Sequence, residues 1–333
     1  MNKKIAIIGC GAISENWHIP AAIDLLGASG VSIVDSNEAR LEAMATKFSI
    51  NSFALSLSEL KCSLDAVLIA SPPQAHLKIA EEAFRRRLPV LCEKPLANTS
   101  AECEAIIAAS KASGLSLGVC HTYRFFPNRV KLREMILNGD LGRIRKIDLL
   151  QGSPASWPTL TGYSFRKEMV PGGAFFNEGI HSLDFLLWLG MKAKAYDYFD
   201  DNLSGVESNV KLRMYCEGGT EIYMRVSRTC ELSNLIRIEG ERAKAELDIY
   251  DMDFIRLEEG SQKKRIHCSN LRGDFTALAR EQLNDFIASI DNKGKPCCTG
   301  EEGAEAVSFI EKCYGEKKKR QLPELVPIPG HMW

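Results

Sequence analysis

Five short apolar segments within the first 120 residues constrain the fold more than any other feature of this sequence. They read KIAIIG, VSIVD, DAVLIA, PVLCEK and LSLGVC, and segments with helical spacing of apolar residues separate them. One of these, SAECEAIIAASKASG, ends in glycine, as helix C-termini commonly do. Short apolar strands that alternate with helices are typical of a parallel sheet covered by helices on both faces. We therefore predict an α/β fold that begins with a doubly wound parallel sheet.

The pattern changes after about residue 123. From Arg143 onward, longer segments such as SNVKLRMYC and GTEIYMRVS alternate apolar and polar residues with a period of two. Glycine-containing turns join several of them, and a helical pattern returns in DFTALAREQLNDFIASI. The second part of the chain is therefore predicted to be an α+β domain with a mainly antiparallel open sheet, and the domains are predicted to span 1–122 and 123–333.

The composition excludes several classes of function. The chain has 333 residues, of which 42 are basic and 43 are acidic, so its net charge of -1 predicts no nucleic-acid partner. No apolar segment approaches the roughly 20 residues of a membrane helix, and the N-terminal lysines lead straight into a strand, which predicts neither membrane association nor a signal peptide. Eleven cysteines without CxxC spacing indicate reduced thiols, a cytoplasmic location and no metal site.

The first strand leads into GCGAIS, a glycine pattern with a steric reason. Gly9 permits a tight turn from strand to helix, and Gly11 lets a pyrophosphate approach N–H groups at the helix N-terminus. Asp35 ends the second strand, where a carboxylate binds a ribose and repels a 2′-phosphate. We therefore predict NAD as the cofactor, with NADP as the alternative because Arg40 lies nearby. The structural alternative is a tight strand-to-helix turn that binds no ligand. The predicted cofactor contacts in this region are Gly9, Gly11, Ala12, Ile13, Asp35 and Arg40.

The segment CEKPLANTS follows the fourth apolar strand. Ligands bind beyond the carboxyl ends of strands in such sheets, so Glu93 and Lys94 are predicted to lie beside the cofactor. A lysine there can transfer a proton while a nicotinamide transfers a hydride, and burial and a neighbouring acid can tune its pKa. The alternative is an ion pair that only stabilises the strand end.

Several motifs together resemble the family of glucose-fructose oxidoreductase, inositol dehydrogenase and rhizopine-catabolism oxidoreductases. In chain order they read HIPA, VLIASPPQAH, CEKPLANTS, YRFFP, NGDLGRI and PGGAFFNEGIHSLD, and the resemblance covers nearly the whole chain. It implies a Rossmann domain in 1–122 that binds NAD(P), and a domain in 123–333 that binds substrate and faces a partner subunit. It also implies hydride transfer to or from a sugar, polyol or nucleotide-linked sugar. The alternating strands between Arg143 and Leu257 would expose one broad sheet face, so we predict a homodimer or homotetramer built on that face.

The resemblance assigns roles to residues at matching positions. It implies that Lys94 is the catalytic lysine and His181 the active-site histidine, which Asp184 would support. Dehydrogenases of the family often carry an aspartate where this chain has Asn177. An amide cannot take a proton at neutral pH, so we expect Asn177 only to orient the substrate or His181. Proton transfer is therefore assigned to Lys94, with His181 as the alternative base or an anchor for a hydroxyl.

Further candidates follow two other strands. Ser71 and Pro72 match the position where the family packs the nicotinamide ribose and diphosphate, and His76 is either a cofactor contact or a helix-start residue. Tyr123 and Arg124 follow the fifth apolar strand at the domain junction and are predicted to face the substrate. Arg124 either binds a carboxylate or phosphate of the substrate or bridges the two domains.

Two other functions share this fold. A cofactor-binding regulator without turnover is the first, and the presence of both Lys94 and His181 argues against it. A reductase of a non-sugar substrate is the second, and it would need a more apolar pocket than Asn177, His181 and Arg124 supply.

Overall fold

The computed structural model describes residues 3–154 and 162–317, which form two sheets and their covering helices. The first sheet has six parallel strands in the order β3-β2-β1-β4-β5-β6. Its strands are β1 (Ile5–Ile8), β2 (Val31–Val34), β3 (Ser52–Ala54), β4 (Ala66–Ile69), β5 (Val90–Glu93) and β6 (Leu117–Cys120). Every residue of β1, β2, β4, β5 and β6 is buried, because helices cover both faces of the sheet. The predicted doubly wound parallel sheet is confirmed.

Eight α-helices lie within the described residues. They are α1 (Ile19–Leu26), α2 (Glu38–Phe48), α3 (His76–Arg85), α4 (Ser100–Ser113), α5 (Pro127–Leu137), α6 (Ile180–Trp188), α7 (Phe275–Asp291) and α8 (Gly300–Lys317). Short 3₁₀ turns occupy Ala28–Gly30, Leu57–Glu59, Pro73–Ala75, Thr122–Phe125, Tyr163–Phe165 and Glu217–Gly219. Thr99 and Glu102 form a capping box at the start of α4, which ends at Gly114 as predicted. No helix in these ranges is both long enough and apolar enough to cross a membrane.

The second sheet has eight strands in the order β14-β13-β12-β11-β7-β10-β9-β8. β7 and β10 run parallel, and all other neighbours are antiparallel, which confirms the predicted mainly antiparallel sheet. One face is buried and the other is accessible, as the period of two requires. The strands are β7 (Ile144–Gly152), β8 (Ala193–Asp200), β9 (Asn209–Cys216), β10 (Glu221–Ser227), β11 (Leu235–Gly240), β12 (Lys244–Asp248), β13 (Phe254–Glu259) and β14 (Gln262–His267).

The chain returns to the first sheet after completing the second. Leu283 and Phe286 of α7 join the core that contains Ile5 and Ile33. Near the start of α8, the carbonyl of Cys298 accepts a hydrogen bond from the β6 backbone. The last helices therefore cover the first sheet, whereas the boundary at residue 122 stays a prediction.

Candidate active site

The glycine turn after β1 has the geometry that its sequence requires. Gly9 has a φ of +104°, and a Cβ there would lie 2.6 Å from the carbonyl oxygen of Ala70 and 2.8 Å from the nitrogen of Ser71. Only glycine lets β1 and the end of β4 approach this closely. A Cβ on Gly11 would meet nothing within 4 Å, so the space beside it is open to a ligand. Ser14 fits the third position because its buried hydroxyl donates to the Gly9 carbonyl.

Asp35 is locked to the glycine turn at the end of β2. Its Oδ2 accepts a hydrogen bond of 2.7 Å from the backbone of Cys10, and its Oδ1 accepts one of 2.8 Å from Asn37. The carboxylate is only half-buried, so its remaining lone pairs can accept ribose hydroxyls. Arg40 donates to the Cys10 carbonyl and pairs with Glu15, which engages the guanidinium that a 2′-phosphate would need. This arrangement fits NAD.

The helix after the turn starts at Ala12 and Ile13, and a π-helical turn, Ser14–His18, precedes α1. The nitrogen of Glu15 donates to the Gly11 carbonyl, so the open space beside Gly11 lies at a helix N-terminus. Backbone N–H groups at such an end favour an anionic ligand. Contacts of Ala12 and Ile13 with the cofactor stay a prediction that this placement supports.

The loop after β4 faces the same edge of the sheet. The Oγ of Ser71 is buried and has no hydrogen-bond partner among the described residues, which leaves a polar group for a ligand to satisfy. Pro72 immediately precedes a short 3₁₀ turn. His76 is fully buried, with Nε2 2.7 Å from the Ser71 carbonyl and Nδ1 3.1 Å from that of Leu96. The structure thus favours the helix-start role for His76, and its contact with a cofactor stays a prediction.

Glu93 ends β5 as a buried carboxylate. Its Oε1 lies 2.7 Å from Nε2 of His18, and its Oε2 accepts a hydrogen bond from the backbone of Lys94. Burial raises the pKa of Glu93, but the hydrogen bond and charge of His18, together with the charge of Lys94, lower that pKa below its usual value. His18 was missed as a site residue, although it begins the HIPA motif. Glu93 therefore contributes a fixed negative charge beside the lysine.

The Lys94 side chain connects the end of β5 in the first domain with the segment before α6 in the second. Its Nζ donates a 2.9 Å hydrogen bond to the backbone carbonyl of Asn177, just before α6. Burial lowers the pKa of Lys94, and the charges of Glu93 and Glu178 only partly oppose this effect. The Lys94–Pro95 peptide is cis. A lysine with a lowered pKa can exchange a proton with a substrate hydroxyl nearer to neutral pH.

His181 lies in the first turn of α6, directly after a second π-helical turn, Phe175–Gly179. Its ring stacks on Tyr123 with centroids 5.1 Å apart, and its buried Nδ1 has no hydrogen-bond partner within residues 3–154 and 162–317. Burial holds the pKa of His181 well below its usual value, and the charges of Lys94 and His121 act in the same direction. His181 is therefore a neutral imidazole at neutral pH, able to orient a hydroxyl.

The predicted support of His181 by Asp184 is wrong in this geometry. Both carboxylate oxygens of Asp184 accept hydrogen bonds from Arg124, at 2.7 and 3.0 Å, and Asp184 is fully buried. Nη1 of Arg124 donates to the Cys297 carbonyl and also pairs with Glu302. A bidentate guanidinium pair outcompetes a single imidazole contact. Arg124 and Asp184 thus act as a bridge, and substrate contact by either residue stays a prediction that their burial does not favour.

The double glycine before α6 also has a structural cause. Glu207 is buried and accepts hydrogen bonds from the nitrogens of Gly173 and Phe175 and from the hydroxyl of Tyr314. A Cβ on Gly172 would collide with the Tyr314 hydroxyl, and one on Gly173 would lie 2.0 Å from the Glu207 carbonyl oxygen. This anchor fixes the start of the π-helical turn, and hence the position of the segment that carries His181.

Three further residues near the lysine were missed by sequence reasoning. Nε of Arg228 lies 3.0 and 2.9 Å from the two carboxylate oxygens of Glu178. Tyr163 is influenced by Glu178 as well. Burial, followed by the charges of Glu93 and Glu178, raises the pKa of Tyr163 to about 12. Glu178 could have been noticed as a carboxylate between Asn177 and His181, whereas only the strand topology brings Arg228 here.

Two clusters place potential metal ligands together. His18, Glu93 and Cys120 form one, and His121, Asp184 and Cys298 form the other, with ligand atoms within 4.8 Å of one another. Glu93 already accepts hydrogen bonds from its neighbours, and both oxygens of Asp184 accept from arginine. The absence of a metal stays a prediction.

Comparisons with known proteins define the class of this fold and site. Residues 3–121 match an oxidoreductase family described by its NAD-binding Rossmann fold, and residues 130–246 match the GFO/IDH/MocA C-terminal domain. The chain therefore belongs to the family of glucose-fructose oxidoreductase, inositol dehydrogenase and rhizopine-catabolism proteins, as its motifs predicted. It is an NAD-dependent oxidoreductase.

Individual relatives are distant but similar over nearly their whole length. D-apiose dehydrogenase of Paraburkholderia graminis is 25% identical, over 97% of this chain and 89% of the relative. The structure of aldose-aldose oxidoreductase from Caulobacter crescentus, in complex with glycerol, has a TM-score of 0.84 at 21% identity, covering 96% of this chain and 99% of that one. Levoglucosan dehydrogenase, in complex with NADH and levoglucosan, has a TM-score of 0.82 at 18% identity, covering 96% and 98%. These two structures establish the fold alone.

Proposed function

We propose that this protein oxidises a hydroxyl-bearing carbon of a sugar, polyol or nucleotide-linked sugar, or reduces the corresponding ketone. When bound, NAD supplies the hydride acceptor and NADH the hydride donor. The chain would hold this cofactor along the Gly9 turn, with Asp35 at the ribose and Ser71 beside the strand end. The sugar dehydrogenases among its relatives support the substrate class.

Lys94 moves the proton in this proposal. As the hydroxyl carbon loses its hydride, the neutral amine accepts the hydroxyl proton; in the reverse direction the ammonium returns it to the ketone oxygen. The hydrogen bond to the Asn177 carbonyl fixes Nζ, which lowers the entropic cost of aligning it with the substrate. His181, neutral and stacked on Tyr123, holds the same hydroxyl or a neighbouring one.

One observation carries this proposal: a lysine of lowered pKa reaches from the cofactor sheet to the turn just before the helix that contains His181. The test is NAD reduction by the full chain against a panel of aldoses, polyols and nucleotide sugars. Turnover that Lys94→Met abolishes supports an enzyme. Tight NADH binding without turnover on any member of the panel would favour a regulator, and turnover only on a non-sugar carbonyl would favour the other alternative.

We also propose that the chain forms a homodimer or homotetramer through the accessible face of the second sheet. Along β10 the buried residues alternate with accessible ones, among them Tyr223 near the centre of the sheet. Aromatic residues are enriched in protein interfaces. Light scattering should give at least twice the monomer mass, and Tyr223→Asp should lower it. A monomeric wild type at micromolar concentration contradicts this assembly.

A reducing compartment such as the cytoplasm is part of the same proposal. All eleven cysteines are free thiols, and most of them are buried. Disulfides form readily in oxidising compartments, so a chain with this many unpaired thiols fits a reducing one. Thiol titration of freshly purified, unfolded protein should count eleven reactive groups.

A further inference from the structure

The ion pair between Glu178 and Arg228 is asymmetric in its burial. The Arg228 side chain is only 5% exposed, whereas that of Glu178 is 36% exposed. Arg228 also donates to the Ser164 carbonyl, and its guanidinium lies 4.9 Å from the ring of Phe165. The cation is therefore buried behind the anion, and a molecule that approaches this ion pair from solvent meets the carboxylate first.

Glu178 keeps capacity for a ligand after its internal contacts are made. Its Oε1 accepts from Arg228 and from the side-chain amide of Asn177 at 3.2 Å, whereas, among the residues that the structure describes, its Oε2 accepts only from Arg228. A carboxylate oxygen can accept two hydrogen bonds, so Oε2 retains a lone pair. Since an ionised carboxylate is acceptor-only, the partner that satisfies this lone pair must be a donor, such as a hydroxyl.

The position of Glu178 places this acceptor beside the segment that binds Lys94. It belongs to the π-helical turn whose Asn177 carbonyl binds Lys94, and it precedes His181 by three residues. Its charge also acts on Lys94 and on two tyrosines from separate segments, Tyr163 and Tyr250. The carboxylate thus lies where the substrate must lie if the proposed function is correct.

We propose that Glu178 is a specificity-determining residue that accepts a hydroxyl of an uncharged sugar or polyol and excludes substrates with a carboxylate or phosphate at that end. This inference rests on the proposed function and narrows its substrate class. A like charge placed against Glu178 is repelled, while the arginine that could attract it is buried, pairs with Glu178 through Nε and keeps only Nη2 without a hydrogen-bond partner among the described residues. The ion pair therefore favours the binding of neutral hydroxyl groups and disfavours the binding of anionic groups.

The test compares matched neutral and anionic sugars. D-glucose is paired with D-glucuronate and D-glucose 6-phosphate, and D-galactose with D-galacturonate; calorimetry measures binding to the NADH-loaded chain and NAD reduction measures turnover. Wild type should favour the neutral member of each pair, and Glu178→Gln should shrink this preference by about 10-fold or more. Glu178→Asp, which keeps the charge, should retain the preference, as should Glu168→Gln at an exposed glutamate.

The outcomes separate this inference from the function beneath it. If no sugar or polyol is oxidised or bound, the proposed function fails and the inference falls with it. If sugars are oxidised but wild type favours the anionic members, or Glu178→Gln changes both members of each pair equally, only the inference is overturned. NADH affinity and the melting temperature of each variant show that it is folded.

Discussion

The candidate active site has two walls, and they are built by different means. The cofactor wall contains Gly9 and Asp35, and the substrate wall contains Asn177, Glu178 and Arg228. The cofactor side depends mainly on backbone geometry. Gly9 has a positive φ and a close approach to Ala70 that only glycine tolerates, and Asp35 accepts hydrogen bonds from nearby backbone N–H groups. On the substrate side, contacts join distant segments: the Lys94 side chain donates to the backbone carbonyl of Asn177, and the Glu178 carboxylate pairs with Arg228. Mutations on the first wall should thus affect cofactor binding, and those on the second should affect turnover and substrate choice.

The largest effect that would sharpen this comparison is expected at Lys94. Lys94→Met removes the proton-transfer group but leaves the cofactor wall intact. Turnover should fall by the ~10²–10⁴-fold typical of losing a general acid or base, with NADH affinity nearly unchanged. Steady-state kinetics and a separate fluorescence titration with NADH measure the two quantities.

The matched control is Lys167→Met, which removes an exposed lysine in the segment before α6. It should leave both turnover and NADH affinity unchanged. If Lys94→Met keeps near-normal turnover, the Glu93–Lys94 pair only stabilises the end of β5, and our assignment of the proton-transfer group is wrong.

The next effect compares two glycines of the same turn. Gly9→Ala forces a Cβ against the backbone of Ala70 in a left-handed conformation, at a cost of about 1–3 kcal/mol or more. It should lower the melting temperature. Gly11→Ala meets no protein atom within 4 Å, so it should melt like wild type yet bind NADH more weakly, since its methyl group occupies the space of the ligand.

Thermal unfolding monitored by circular dichroism, combined with NADH titration, distinguishes the two glycines. Equal melting temperatures for both variants would contradict the steric account of Gly9. Unchanged NADH affinity in Gly11→Ala would show that the pyrophosphate does not bind beside Gly11. It would also contradict the statement that mutations on the cofactor wall affect cofactor binding.

A smaller effect concerns cofactor choice. Asp35 presents a carboxylate where a 2′-phosphate would lie, and Arg40 is engaged by Glu15. NADH should therefore bind more tightly than NADPH by roughly 10-fold or more, and Asp35→Ser should reduce this ratio. Calorimetric titration of both cofactors measures it; equal affinities with Asp35 intact would contradict the assignment.

The same contrast explains how much the sequence could predict. Period and glycine placement are local properties, so both sheets, the Gly9 turn and the position of Asp35 could be predicted from short segments. The hydrogen bond from Lys94 to the Asn177 carbonyl joins residues 83 positions apart. The sequence predicted no contact between them, and only the resemblance to a family placed Asn177 in the same site. Asp184 shows the limit of such transfer: the resemblance implied that it supports His181, but Arg124 donates hydrogen bonds to both of its carboxylate oxygens.

Arg228 could not have been predicted, because its place depends on the register of β10 against β7 and β9. The sequence around Arg228 resembles that of any strand that is followed by a charged residue. The substrate side was therefore predictable only in its broad chemistry, whereas its charge pair comes from the packing of the Phe175–Gly179 turn against the end of β10 within the second domain.

The smallest expected effect is a shift in pH dependence, and it tests both walls at once. Burial lowers the pKa of Lys94 from its ordinary value of 10.5, and alcohol oxidation needs its neutral form. The kcat/KM for oxidation should thus rise with pH and level off below pH 10.5, while that for reduction should fall over the same range. The charge of Glu178 raises the pKa of Lys94, so Glu178→Gln should move both curves to lower pH, whereas Glu168→Gln should leave them in place. Stopped-flow hydride transfer across a pH series measures the curves, and a shift to higher pH in Glu178→Gln would show that Glu178 does not act on the lysine through its charge.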